Sequence, residues 1–309
     1  MQKTIRKDAP RVQNTRKPRS TGDRVFDWCV YILLALVLVI ILYPLYFVLI
    51  ASFSDPLEVI AGNVSFLPVR ANLESYRLVF KNSQVMTGYR NTILYTLAGT
   101  SLNILMSICA AYPLSRPKLK GKGFGLAMMV FTMFFSGGMI PTYIIISDLG
   151  ILDTFWVMIL PTALSVYNVM IMRTFFSTSI PRELEEAAVV DGASHLRILG
   201  SVILPLSKPI LAVMVLYYAV SHWNSYFNAL LYLSDQNRYP LQLILRAILI
   251  QNQASEESFS EIGNTYNRML LSETMKYALI IVSCVPVLIL YPFLQKYFVQ
   301  GVMIGSVKG

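Results

Sequence analysis

The chain has 309 residues, 55% apolar and only 14% charged, with a mean hydropathy of +0.55 and a net charge of +9. A water-soluble domain carries about 25% charged residues, so this composition excludes an ordinary soluble protein and places much of the chain in lipid. Two histidines and three cysteines without ligand spacing offer no metal centre, and no Gly-x4-Gly-Lys-Ser/Thr loop is present to hold a nucleotide phosphate.

In chain order, residues 1–25 form a basic, Pro-interrupted tail expected to be disordered, and residues 26–309 form one membrane domain. Six apolar runs, 28–51, 92–114, 124–147, 155–172, 206–231 and 277–294, approach the length needed to cross a bilayer. In lipid each must satisfy its own backbone hydrogen bonds, so all six are predicted as helices. The first run exceeds a signal-peptide core and is expected to remain as an anchor. Between the first two runs, Asp55-Pro56, Gly62-Asn63 and Pro68 break the chain, and 73–80 reads as a short amphipathic helix. Gly137, Gly138 and Pro141 interrupt the third run. Cys29, Cys109 and Cys284 fall within runs, where they are expected to pack as small apolar residues. The segment 234–276 is the largest loop, with a solvated or mobile middle at 251–258.

Charge sets an orientation. With the N-terminus cytoplasmic, the inside segments hold 18 Lys and Arg against 7 acids, and the outside segments hold 8 against 10. Basic residues collect on the cytoplasmic side, so both termini and the segment 178–205 are expected inside. The basic tail needs no nucleic acid, because topology and anionic lipid account for it.

Segment 178–205 is the most specific stretch. Pro181 suits a first helical turn, and Glu183, Glu185 and Glu186 complement the helix dipole. Ala187 and Ala188 offer a face that a partner's backbone can approach. Gly192, after Asp191, is placed to end the helix in the left-handed conformation. Ser194 can cap the next helix, and Leu204-Pro205 closes or kinks it. The predicted shape is helix, turn, helix: a knob outside the bilayer. A surface helix-turn-helix without a partner is the plainer reading of the same residues.

Glu186-Ala187-Ala188, three residues, Gly192, nine residues, then Val202 and Leu204-Pro205 resembles the Glu-Ala-Ala loop by which permeases of bacterial ABC importers dock onto their ATPase. The family pattern has Ile where Val202 stands, a conservative change. The likeness extends from Phe135–Tyr143 to Trp223–Leu230 and to Gly301–Gly309, and is similar to carbohydrate permeases of the maltose-transporter type, especially the Gram-positive polysaccharide and lipoprotein branch. The resemblance implies an all-α type I importer permease with six transmembrane helices and a cytoplasmic coupling helix at 182–191. It also implies a bacterial plasma-membrane location, a second homologous permease, two cytoplasmic ATPases carrying ATP and Mg, an extracytoplasmic solute-binding lipoprotein, and no cofactor on this chain. In that frame Glu186 would pair with the ATPase, Ala187 and Ala188 would line the contact, and Gly192 would set the turn.

The fifth run carries the densest polar and aromatic set. Tyr217, Ser221, Asn224 and Asn228 share a face at helical spacing, and with Trp223 they are candidates for lining a carbohydrate path. Polar side chains also join membrane helices by hydrogen bonds, so packing is the competing role. His222, with no second His or acid nearby, reads as a packing residue. The rival functions are a secondary active transporter of small solutes and a membrane-embedded enzyme. No Asp or Glu lies in any run, which disfavours ion coupling, and no acid–base or nucleophile set supports an enzyme.

Overall fold

The computed structural model describes residues 21–257 and 275–290, with 292 and 295; side chains are described to residue 250 and again from 275. These residues are mostly helical and contain no strand. The helices are α1 (Thr21–Phe53), α2 (Pro56–Ile60), α3 (Glu74–Lys81), α4 (Ser83–Ser115), α5 (Lys122–Phe134), α6 (Met139–Asp148) and α7 (Val166–Thr178). They continue as α8 (Arg182–Val190), α9 (His195–Ile198), α10 (Leu204–Leu206), α11 (Lys208–Trp223), α12 (Phe227–Tyr232), α13 (Leu241–Glu257) and α14 (Met275–Leu290). Residues to Phe47 form one compact unit and those from Val48 a second. The first described helix already starts at Thr21, inside the segment expected as a disordered tail, and residues 1–20 lie outside the described set.

Among the described residues, only α1 and α4 are both long and apolar enough to span a bilayer unbroken. Three further spans are bent pairs. α5 and α6 meet at 112° across residues 135–138: Phe135 ends α5 in an extended conformation, and Gly138, at a φ of +87° that glycine adopts readily, starts α6. Pro141 sits in the first turn of α6, where its missing N–H costs nothing. The fourth run is two short 3-10 turns, Phe155–Met158 and Leu160–Thr162, followed by α7 at 52°, with Ser165 capping α7. The third pair, His195–Leu206 and Lys208–Trp223, bends by 83° at Ser207, between Pro205 and Pro209.

The axis of the second unit is α4, against which α7, α11 and α13 pack. One face of α4 is a ladder of small residues, Gly99, Asn103, Ser107, Ala111 and Ser115, all buried. Small residues let helices approach closely and side-chain hydrogen bonds form between them. Ser107 Oγ and the Tyr218 hydroxyl of α11 lie 2.7 Å apart, and His222 Nε2 lies 2.7 Å from Asn103 Oδ1 one turn away. At Gly88 an added Cβ would meet Ile244 of α13 at 2.4 Å, so glycine permits that crossing as well.

Two further expectations change. The polar stretch 251–257 continues α13 as a helix instead of forming a loop. Cys29, Cys109 and Cys284 are unpaired and exposed rather than packed inside, so they stand on the outer apolar faces of their helices.

Candidate functional site

Two sites emerge at opposite ends of the α4–α11 pair. The first is the knob at 182–206. Pro181 is extended (ψ 132°) and precedes the helix, so α8 begins at Arg182 rather than at the proline. Its C-terminus is closed by a Schellman motif. Ala193 N–H donates to Ala188 O at 2.9 Å, Gly192 N–H to Val189 O at 3.0 Å, and Gly192 has φ +75°. Ser194 then caps α9, accepting from Arg197 N–H at 3.4 Å. A single π-helical turn, Leu199–Ile203, follows and buries Ile203. Such turns are uncommon and gather at functional places.

Burial sorts the knob's residues. Glu186, Ala187, Asp191 and Gly192 are exposed. Val190 and Leu196 are strongly exposed, at 87% and 81%, which leaves an apolar tip outside the fold. Ala188 is half-buried and packs on the cluster built by Phe176, Ile198 and Ile203, so it faces this chain rather than outward. Leu204 is half-buried and Pro205 exposed in the short α10.

The sequence reading passed over what holds the knob in place. Glu185 pairs with Arg116 at the end of α4, both side chains being less than one-fifth exposed. Arg116 also donates to Ser115 Oγ at 2.9 Å and to Phe176 O at 3.3 Å, and lies 4.9 Å over the Tyr112 ring. Burial draws its pKa down from the ordinary arginine value, Tyr112 opposes this and Arg182 adds to it; an arginine so placed stays charged. Lys122 (on Arg116 O, 3.3 Å) and Arg173 (on Leu114 O, 3.1 Å) satisfy the carbonyls at this helix end. Desolvation, then Arg173, Arg182 and Arg116, lower the Lys122 pKa. A basic residue immediately after an apolar run, with an acid on the neighbouring short helix, was the available signal.

The second site is a polar pocket of about 210 Å³ lined by Thr162, Ser221, His222, Asn224, Ser225, Tyr226, Phe227 and Asn228. It exists because the fifth run breaks. α11 ends at Trp223, the Asn224 N–H and Nδ2 both turn back to Val220 O, and α12 starts afresh at Phe227. Asparagine competes for backbone groups in this way and so terminates helices. The proposed single stripe is therefore corrected: Ser221, Asn224 and Asn228 share a pocket, but across a break. Tyr217 is exposed elsewhere and lines no part of it. Trp223 is buried, donates Nε1–H to Ser283 O at 2.9 Å and meets Tyr89 edge-on, so it packs α11 against its neighbours. His222 is also buried and bonded to Asn103, the packing role expected of it, while lining the pocket too.

A model of the binding-protein-dependent transport system inner membrane component family matches residues 12–304. The chain belongs to that family. It is 39% identical to the polygalacturonan/rhamnogalacturonan transport system permease protein YtcP of Bacillus subtilis, over 93% of this chain and 99% of the relative. It is 38% identical to protein LplC of the same species, over 93% and 96%. A solved bacterial ABC transporter involved in import of the acidic polysaccharide alginate has a chain of the same fold, with TM-score 0.83 and 34% identity over 91% of this chain and 99% of that one. The fold is thus the type I ABC permease fold, and this inner membrane component matches those relatives along nearly their whole length. Among the described residues no cluster of metal-ligating side chains occurs.

Proposed function

We propose that the chain is one of two membrane subunits of an ATP-driven importer for oligosaccharides derived from an acidic polysaccharide. It works by alternating access with a second permease, cytoplasmic ATPases and an extracytoplasmic binding protein. ATP hydrolysis belongs to the ATPase subunits, which carry the nucleotide and Mg. The observation that carries this reading is the Schellman-closed α8 knob, with Glu186, Ala187 and Val190 exposed, in a chain of the transporter family. A charged flank around an apolar tip suits a socket on a soluble ATPase better than lipid.

The supporting geometry also suggests how movement travels. Glu185 joins α8 to Arg116, and α4 runs from there to Asn103 at the polar pocket, about 20 Å along a continuous helix. Tilting α8 would swing that helix against α11. The pocket's hydroxyls and amides, with the rings of Tyr226 and Phe227, suit the polar edges and C–H faces of a sugar. Six membrane crossings are read as α1, α4, the three bent pairs and α14, with both termini cytoplasmic as the basic residues favour. The two named relatives of known cargo act on polygalacturonan, rhamnogalacturonan and alginate.

The test is uptake of oligogalacturonides by vesicles containing the reconstituted complex. Uptake that requires ATP and the binding protein supports the reading. Uptake driven by an ion gradient without ATP would return the chain to the secondary transporters.

A further inference from the structure

Arg246 stands in the middle of the apolar helical stretch Leu241–Ile250 of α13, as its one charged residue. Leu241, Leu243 and Ile244 beside it are buried, and Arg246 itself is half-buried. Its guanidinium lies 5.5 Å from the ring centroid of Tyr226, a residue that lines the polar pocket. Among the described residues no carboxylate or hydrogen-bond acceptor is paired with it, whereas Arg70, Arg116 and Arg238 each have an acid. A guanidinium half-buried among apolar side chains carries a desolvation cost that a carboxylate would offset. The pocket lining contains no acid that would repel an anion, and its polar groups are hydroxyls, amides and one imidazole.

We propose that Arg246 is a specificity-determining residue that selects oligosaccharides bearing carboxylates, pairing with them as they pass the pocket that Tyr226 lines. The idea rests on the reading of that pocket as part of the sugar path. The guanidinium lies over the Tyr226 ring, and its planar fork can donate two parallel N–H bonds to a carboxylate. The pocket supplies neutral partners common to all sugars, and Arg246 supplies the one group that distinguishes a uronic acid from its neutral counterpart.

The experiment compares uptake of oligogalacturonides and of the same oligomers methyl-esterified, by vesicles holding the full complex. Esterification removes the charge and keeps the sugar. Arg246→Gln is expected to lower uptake of the acid form about tenfold, the scale of one charge-assisted hydrogen bond, while uptake of the ester stays at its wild-type level. Arg246→Lys should fall between. Unchanged uptake of the acid form overturns the proposal, and so does an equal loss for both forms, which marks Arg246 as a packing or assembly residue. Asn224→Ala separates this from the pocket reading: unchanged uptake of both forms in that variant removes the pocket from the path, whatever Arg246 does. Failure of the wild type to take up either form refutes both.

Discussion

The imidazole of His222 and the amide of Asn103 are locked in one orientation: Asn103 Nδ2–H donates to Thr162 O at 2.5 Å, so its Oδ1 faces His222 Nε2 at 2.7 Å and accepts from it. Asn103 thereby holds two walls of the polar pocket from outside it. Gly99 makes room, since a Cβ there would sit 2.4 Å from two atoms of the imidazole. Gly99→Ala should therefore displace the ring and destabilise the α4–α11 contact by about 1–3 kcal/mol. In the His222→Ala background the same change should cost nearly nothing, a non-additivity that thermal unfolding of both single variants and the double variant would read. Additive losses would mean that Gly99 does not act through His222.

Arg116 and Glu185 give a second coupling. Removing either member leaves the other charge largely buried, at a cost of about 3 kcal/mol or more. Glu185→Ala and Arg116→Ala should each insert in the membrane yet lower sugar moved per ATP hydrolysed. The exchange Arg116→Glu with Glu185→Arg should recover part of that loss. Equal transport per ATP in all four proteins would show that the pair holds α8 without transmitting its motion.

Gly192 meets nothing within 4 Å where a side chain would grow, so its requirement is conformational, not steric. Gly192→Ala should destabilise the turn by about 1 kcal/mol through the left-handed backbone alone. Gly192→Asp adds charge to an exposed contact face and should abolish sugar-stimulated ATP hydrolysis while membrane insertion persists. Normal stimulation in the Asp variant would argue strongly against docking at this turn.

Asp153 ties the loop between α12 and α13 to the rest of the fold. Itself at φ +52°, it accepts the backbone N–H of Ser234 and of Asp235, each at 3.1 Å. The Asp235 N–H chiefly, then that of Ser234 and the charge of Arg238, hold its carboxyl below the ordinary aspartate value, against a desolvation that pushes it up. A lowered pKa stabilises the fold fully above the ordinary value near about 4 and ceases to do so as pH falls through the folded value. Exchange protection of the Ser234 and Asp235 amides should then be constant from neutrality to about pH 4 and decline below it. Asp153→Asn, which tolerates the left-handed backbone, should remove the pH dependence. A decline already complete at pH 6 would point to a different group.

The helix content and the Gly192 turn were legible because each follows from local chemistry: apolar run length in one case, a residue without Cβ in the other. What the periodicity of the fifth run hid was the break at Asn224, where side chain and backbone both turn to Val220 O. A helical wheel assumes continuity, so Tyr217 and Trp223 were grouped with Asn224 although they face other neighbours. The knob's anchoring was hidden for a different reason. Arg116 and Glu185 lie 69 residues apart, and no local pattern joins them. The ladder from Gly99 to Ser115 was readable as small residues four apart, but its partner His222 was fixed only by the packing of α4 on α11.

Docking at α8 is tested most directly by a photo-crosslinking residue placed at Ala187 or, separately, at Ala188 in the assembled complex. Ala187 is exposed and Ala188 packs on this chain's own core. A crosslink from position 187 to the ATPase subunit, with position 188 linking within the chain, is the result the account predicts. An intact complex in which position 187 never reaches the ATPase would contradict it.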